Sequence, residues 1–150
     1  MACQWYPKGK LNYCKSSATP HFMVGGAYVT KALLLKQGAA LDIADEFVSD
    51  VIAGSLEISG GSYARQGITA TVSLSGNYVV ITSAAITFTA LAAGDTVVAM
   101  VLYSDIGGGD SANPVIAWFD GGSYPNDLPK ATTGGDLVVS PHAVDGWLKM

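Results

Sequence analysis

Hydrophobic and polar residues alternate most regularly in residues 64–74, within the longer stretch 59–76. One parity is mostly apolar and the other is rich in Thr and Ser, a period of two that is typical of a strand with one face on a core. The apolar parity consists of Ala64, Gln66, Ile68, Ala70, Val72 and Leu74. We therefore predict a single strand here, with the opposite parity facing solvent.

The apolar segments that follow predict further strands joined by glycine turns. Ser75, Gly76 and Asn77 favour a hairpin turn. Residues 78–89 then form the return strand, with a break near Ser83, and residues 96–103 are continuously apolar, as in a central strand covered on both faces. Further strands are expected at 115–119, 137–140 and 147–150, with loops at 105–113 and 120–136.

The earlier part of the chain is less regular. Residues 22–37 contain the strand-favouring Tyr28, Val29 and Thr30, while residues 32–36 also favour a helical turn, and we predict a strand. Residues 45–52 predict a second strand and residues 56–58 a short third one. About eight to ten short strands with turn residues between them predict an all-β fold, a single-domain β-sandwich that is jelly-roll-like.

Residues 1–21 show neither a period of two nor one of 3.6, and they contain prolines and aromatic residues. Such a segment either packs on its own body or docks on a neighbouring subunit. We predict the second, an extended N-terminal arm at 1–21 outside a β-sandwich domain at 22–150. The candidate partner contacts of the arm are Trp5, Tyr6, Lys8, Lys10, Tyr13 and Lys15.

Composition changes this picture mainly through charge. The 150 residues are 49% hydrophobic and 13% charged, which suits one packed β domain and favours a large protein interface. Residues 1–41 contain five lysines and no acid, whereas residues 42–150 contain twelve acids and three basic residues. Five lysines over that length are too dilute to favour nucleic acid, so we expect the basic segment to contact an acidic protein surface.

Residues with catalytic or metal-binding chemistry do not form a recognisable pattern. Cys3 and Cys14 have no zinc-ligand spacing to His21 and His142, so free thiols are expected, with a disulfide as the alternative. His142 beside Asp145 is not a catalytic triad, and the glycine-rich loop at 107–110 lacks the lysine of a phosphate loop. We expect no enzymatic activity, cofactor or metal.

Two further sets of residues leave alternatives open. Loop aspartates could gather around calcium, although Asp is also an ordinary turn residue; they are Asp105, Asp110, Asp120, Asp127 and Asp136. Exposed rings could stack on a sugar, although rings more often fill a core or an interface; they are Trp118, Phe119, Tyr124 and Trp147. No apolar run reaches the roughly 18 residues of a membrane span, and we expect no signal peptide and no membrane association.

Arg65 is the only arginine of the chain. Its planar guanidinium in an acidic body is suited to a bidentate pair with Glu57 or Asp50. Gly67, two residues later, could form a β-bulge that changes which side chains of the strand face the core. We predict that Arg65 is a structural anchor first and a partner contact second.

Gly60, Gly61, Ser62, Tyr63, Ala64, Arg65 and Gln66 stand in this order in the sequence. They resemble the Gly-Gly-x-Tyr-Ala-Arg-Gln signature of small virion proteins of tailed bacteriophages, most of which are head decoration or cement proteins. The segments 101–105, 114–119, 134–139 and 146–148 are also similar, so the resemblance covers about residues 27–150. Residues 1–21 lie outside it.

The resemblance implies a non-enzymatic virion protein on the exterior of a capsid, made in the host cytoplasm. Its partners would be the major capsid protein and copies of itself, in a dimer or trimer, with no nucleic acid and no membrane. Within the signature, Tyr63, Arg65 and Gln66 are expected to be structural. The alternative is a receptor- or glycan-binding β module of a tail fibre or neck.

Overall fold

The computed structural model describes residues 4–6, 29–121 and 127–149 of the chain. In these ranges the strands form one large and two small antiparallel sheets. The strands of the large, six-stranded sheet are β1 (Gln4–Trp5), β2 (Val29–Lys36), β3 (Gln66–Ile68), β7 (Thr96–Asp105), β8 (Val115–Phe119) and β9 (Lys130–Ala131). Their order is β1-β8-β7-β2-β3, and β9 pairs with one end of β7.

The two small sheets cover one face of the large sheet. One consists of β4 (Thr71–Ser75), β5 (Tyr78–Thr82) and β11 (Leu148–Lys149), and the other of β6 (Ile86–Phe88) and β10 (Leu137–Val139). Side chains from both small sheets share a core with β2, β7 and β8, among them Ile81, Phe88 and Val139. The rings of Phe119 and Trp147 meet edge to face in this core, with centroids 5.5 Å apart.

The continuous apolar run of β7 is explained by its position. Alternate residues of β2 and β7 contribute to two separate cores, with Leu34 and Met100 on one face and Leu33 and Val101 on the other. Because both faces are covered, neither parity needs to be polar. The prediction of a central strand at 96–103 is therefore confirmed.

The second core lies under a single helical turn, α1 (Val48–Val51), and this corrects the strand predicted at 45–52. Val48 and Val51 are three residues apart, so both face the core on one side of the turn. The Asp50 carboxylate accepts hydrogen bonds from the backbone N–H groups of Phe47 and Glu46, at 2.9 and 3.1 Å, which favours the helical start over an extended chain. No helix in the described ranges is long and apolar enough to cross a membrane.

The single strand predicted at 64–74 is wrong, because the chain changes sheets in its middle. β3 pairs with β2, whereas β4 pairs with β5, and the two strands are separated by Thr69 and Ala70. Ile68 and Ala70 are buried as predicted, but Val72 and Leu74 are 48% and 78% exposed. Apolar and polar residues continue to alternate across the break, although the side chains beyond it are no longer buried.

Of the other strand predictions, some are confirmed and some are corrected. The hairpin turn at 75–77 and the break near Ser83 are confirmed, and β2 shows that residues 32–36 are strand and not helix. Residues 56–58 form only a single bridge, between Glu57 and Leu35, and Gly67 pairs regularly with Lys31 without a bulge. The all-β fold class is confirmed, whereas the jelly-roll-like sandwich is not confirmed by this arrangement of one large and two small sheets.

Residues 4–6 belong to the body and not to a separate arm. β1 pairs with β8, the backbone N–H of Tyr6 donates to the carbonyl of Ile116 at 3.1 Å, and the Tyr6 side chain is fully buried in the second core. Tyr6 is therefore not available as a partner contact, since its ring fills its own core. The side chain of Trp5 and residues Lys8, Lys10, Tyr13 and Lys15, like both cysteines, lie outside the described residues.

Candidate functional site

The Gly60–Gln66 signature folds into a tight turn that leaves the edge of β2, contacts the segment after β6 and returns to β2 as β3. Gly61 has a φ of 63° and forms a bridge with Leu91. A Cβ atom at Gly61 would overlap the backbone of Ala90 and Ala92, so only glycine fits here. The next residue, Ser62, donates its backbone N–H to the carbonyl of Ala90 at 3.0 Å.

Tyr63 completes the hydrogen bonding of β2 with its side chain. Beyond β3, the Tyr63 hydroxyl accepts the backbone N–H of Leu34 at 3.0 Å and donates to Glu57 Oε1 at 2.8 Å. Its ring stacks on Phe88 in the first core, with centroids 6.1 Å apart. Burial, together with the nearby Glu57 carboxylate, raises the pKa of the Tyr63 phenol, so the hydroxyl remains protonated and able to donate.

Arg65 binds two carboxylates with its planar guanidinium. Nε and Nη2 donate to the two oxygens of Glu57 at 2.7 and 2.6 Å. Nη1 and Nη2 donate to the two oxygens of Asp110 at 2.5 and 3.0 Å. The guanidinium also lies 5.4 Å from the ring centre of Tyr103. The predicted pair with Glu57 is confirmed, whereas Asp50 instead caps α1.

Asp110 is the partner that the sequence analysis missed. It lies 45 residues from Arg65, in the glycine-rich loop between β7 and β8. Its backbone carbonyl accepts the N–H of Ser49 in α1 at 3.0 Å, so this one residue joins the loop, the helical turn and the signature. No spacing in the sequence marks Asp110 among the five loop aspartates, because the contact depends on how β7 and β8 pair.

Arg65 is the one cation between two carboxylates in a partly buried cluster. The Arg65 side chain is 22% exposed and that of Glu57 18%. Hydrogen bonds from Arg65 lower the pKa of Asp110, and the bonds to Glu57 and Asp110 raise the pKa of Arg65. The neighbouring Lys31 and Asp105 form a second pair at 2.7 Å, which lowers the pKa of Asp105. Arg65, Asp110 and Asp105 are therefore held in their ionised forms.

Gln66, the last residue of the signature, has a local role. Its side-chain Nε2 donates to the backbone carbonyl of Ala64 at 2.8 Å, and its backbone pairs with Ala32 of β2. The carboxamide thus fixes the exit of the turn into β3. Tyr63, Arg65 and Gln66 are brought together as structural residues of one turn.

The other polar candidates are dispersed over the surface. Asp127 accepts the N–H of Ser140 and Asp136 accepts that of Ala90, while Asp105 and Asp110 pair with Lys31 and Arg65. Within the described residues no group of three His, Cys, Asp or Glu side chains is placed to hold a metal ion. His142 Nδ1 accepts the N–H of Asp145 at 2.8 Å, which fixes a turn before β11.

Three of the four aromatic rings considered for sugar stacking are inside the protein. Trp118, Phe119 and Trp147 are each at most 3% exposed, and Tyr124 lies outside the described residues. A cavity of about 370 Å³ between residues 66–69 and 83–87 has no aromatic side chain in its lining. Trp118, Phe119 and Trp147 therefore have no exposed face on which a sugar could stack.

Among the described residues, the β4–β5 hairpin exposes three large apolar side chains. Val72 and Leu74 are exposed on β4, and Tyr78 at the start of β5 is 52% exposed. The Lys149 amino group lies 4.5 Å from the centre of the Tyr78 ring and 2.6 Å from an oxygen of Asp145. Sequence alternation had assigned Val72 and Leu74 to the core, so this surface was missed.

Comparison of the chain with protein-family models, with curated proteins and with solved structures found no match.

Proposed function

We propose that this protein is a non-enzymatic component of a tailed-bacteriophage virion, a capsid decoration protein that stabilises the head by bridging neighbouring capsid subunits. The partners are the major capsid protein and copies of the chain itself. The proposal rests on the resemblance of the Gly60–Gln66 signature to that family. Its geometric support is that the side chains of Tyr63, Arg65 and Gln66 all form hydrogen bonds within the fold.

The body has the properties of a protein that binds through surfaces. Arg65 fixes the glycine-rich loop and α1 to the large sheet through Asp110 and Glu57, which keeps these surface segments in one arrangement. A preorganised surface loses little conformational freedom on binding. The exposed apolar hairpin at β4 and β5 adds a surface of the kind that proteins use for contact.

The basic residues of the predicted arm are the proposed capsid contact. Tyr6 no longer belongs to this set, because it is buried in its own body. The proposal therefore assigns the contact to Lys8, Lys10 and Lys15, with Trp5 and Tyr13 as apolar anchors. An acidic capsid surface would attract these lysines, and salt would screen that attraction.

The location is tested by the copy number of the chain in purified particles. A decoration protein follows the capsid lattice, so its copy number is comparable with that of the major capsid protein. A tail or neck component is limited to the few copies that the symmetry of the tail allows. Quantitative mass spectrometry of particles distinguishes the two, and a tail-like ratio contradicts the proposal.

The contact is tested by binding the purified protein to particles from which it has been removed. Replacing Lys8, Lys10 and Lys15 together by Ala should weaken binding and reduce its dependence on salt. Lys130→Ala, at an exposed lysine of β9, is the matched control and should bind like the parent. Equal binding by the triple variant and the parent excludes the arm as the capsid contact.

A further inference from the structure

We propose that β4 is a self-association edge, through which two copies of this chain pair as antiparallel strands about a twofold axis at Ser73. This interface specifies the self-association that the proposed function includes. It is measured on the purified chain, so a negative result removes the interface without bearing on capsid binding. A failure of capsid binding likewise leaves the interface standing.

β4 is an open strand edge. It lies at the end of the order β11-β5-β4, and in the described part of the chain it pairs only with β5. Its pairing with β5 runs without a register shift, so no bulge turns the edge away. Natural proteins usually protect such an edge with lysine, proline or a bulge. The sequence Thr-Val-Ser-Leu-Ser of β4 contains none of these.

The backbone of β4 directs unpaired groups outward at Val72 and Leu74. Ser75 and Tyr78 flank the two-residue turn of the hairpin, and such a flanking pair is hydrogen-bonded. Because hydrogen-bonded and non-hydrogen-bonded pairs alternate, Ser73 and Thr71 also bond to β5. The N–H and C=O groups of Val72 and Leu74 therefore point away from β5, towards a further strand.

The side chains of β4 are self-complementary. When two copies run antiparallel with Ser73 opposite Ser73, Val72 faces Leu74 of the other copy and Thr71 faces Ser75. Apolar residues then meet apolar residues on one face, and hydroxyl groups meet hydroxyl groups on the other. The pairing of Val72 with Leu74 also uses the outward backbone groups of both, so the register satisfies the backbone and the side chains together.

Charge and exposure favour a second copy over an unrelated strand. β4 and β5 contain no charged residue, so two copies meet without repulsion of like charges at the interface. The nearest cation, Lys149, is paired with Asp145. Pairing would cover Val72 and Leu74, which are 48% and 78% exposed in the single chain. A twofold interface of this kind is closed and does not propagate into fibres.

The first experiment is sedimentation velocity of the full chain over a range of concentrations. An interface of one short strand is small, so we expect a weak dimer with a dissociation constant of about 10 µM. Leu74→Lys should raise this constant at least about tenfold, because it brings two charges into the apolar face. Ile43→Lys is the matched control at a side chain that is 67% exposed elsewhere, and it should dimerise like the parent.

The second experiment tests the register. Residues opposite each other in a non-hydrogen-bonded pair have Cα atoms about 4.5 Å apart, within the range for a disulfide. In a background with Cys3 and Cys14 replaced by Ser, Ser73→Cys should therefore form a covalent dimer on mild oxidation. Thr71→Cys is the control, because the two copies of residue 71 would be about 14 Å apart along the strands.

Each outcome decides the proposal. It is overturned by a chain that stays monomeric throughout the concentration range, or by a dimer that Leu74→Lys leaves unchanged. Equal cross-linking at positions 71 and 73 overturns the register. If either cysteine variant fails to fold, hydrogen exchange of the parent tests whether β4 is the paired edge. The amides of Val72 and Leu74 should become protected only at concentrations where the dimer forms.

Discussion

The hydroxyl of Tyr63 lies 3.0 Å from the backbone nitrogen of Leu34 and takes the place of a neighbouring strand. β3 ends before it reaches Leu34, so without this hydroxyl the N–H of a fully buried residue would have no partner at the position where the sheet is interrupted. The same hydroxyl donates to Glu57, which in turn holds Arg65. One phenol group thus connects the ladder of β2 to the ion pairs of the signature.

Tyr63→Phe should destabilise the protein by about 1–3 kcal/mol, because it leaves the N–H of Leu34 unpaired while the ring remains in the core. The measurement is the free energy of unfolding from denaturant titration. Tyr78→Phe is the control at a half-exposed ring, and it should change stability by less than about 0.5 kcal/mol. A Tyr63→Phe variant as stable as the parent would show that water or a shifted backbone satisfies Leu34.

Arg65→Lys should lower the free energy of unfolding by about 2 kcal/mol although it keeps the charge, because an ammonium group cannot form the paired contacts with both Glu57 and Asp110. Arg65→Ala should cost more, since it leaves two partly buried carboxylates without a cation. Lys130→Ala controls for the loss of a positive charge at an exposed site. Thermal melts that coincide for all three variants would make Arg65 a surface residue without a structural role.

Acid stability should depend on the Arg65–Asp110 pair. Hydrogen bonds from Arg65 lower the pKa of Asp110 in the folded state, so the pair stabilises the protein above the unfolded pKa of about 3.9 and loses this contribution as the pH falls through the lower, folded value. The stability difference between the parent and Asp110→Asn should therefore be constant from about pH 5 to 7 and shrink at more acidic pH.

The cause of this acid dependence can be checked by removing the partner instead of the carboxylate. In an Arg65→Ala background the group that lowers the pKa of Asp110 is absent, so Asp110→Asn should give a stability difference with little pH dependence. Urea titrations at several pH values measure both comparisons. A difference between parent and Asp110→Asn that persists unchanged at low pH would assign the effect to packing.

Tyr6→Phe should leave the protein as stable as the parent or stabilise it by about 1 kcal/mol, the opposite of Tyr63→Phe. The Tyr6 hydroxyl is buried and has no hydrogen-bond partner among the described residues, so removing it relieves a desolvation cost. Burial also raises the pKa of this phenol. Tyr6→Ala should instead cost about 3–5 kcal/mol, because it empties part of the second core.

The same contacts predict the effect of shortening the chain. Deleting residues 1–21 removes β1 and Tyr6, so the melting temperature should fall, whereas a separate arm would leave it unchanged. The control is a deletion that begins after Tyr6 and joins it to residue 29 through a glycine-serine linker. If the first deletion melts like the parent, Tyr6 does not contribute to the core in solution.

The sequence alone determined which strand is central and where the hairpin between β4 and β5 turns. The continuous apolar run of β7 identified a strand with two covered faces, and the Ser75–Tyr78 segment identified the hairpin, because both signals are local. The bidentate pair of Arg65 with Glu57 was also predictable, since the only arginine lies eight residues from that carboxylate.

Only the tertiary structure decided what covers each face. A period of two indicates which residues share a face of a strand, but it does not indicate whether that face packs on a core. Val72 and Leu74 follow the same alternation as the buried Ile68, and yet both are exposed. Asp110 reaches Arg65 because β7 and β8 pair, and Tyr6 is buried because β1 joins β8. Each of these contacts joins residues far apart in the sequence, and their energies depend on neighbours that no local pattern specifies.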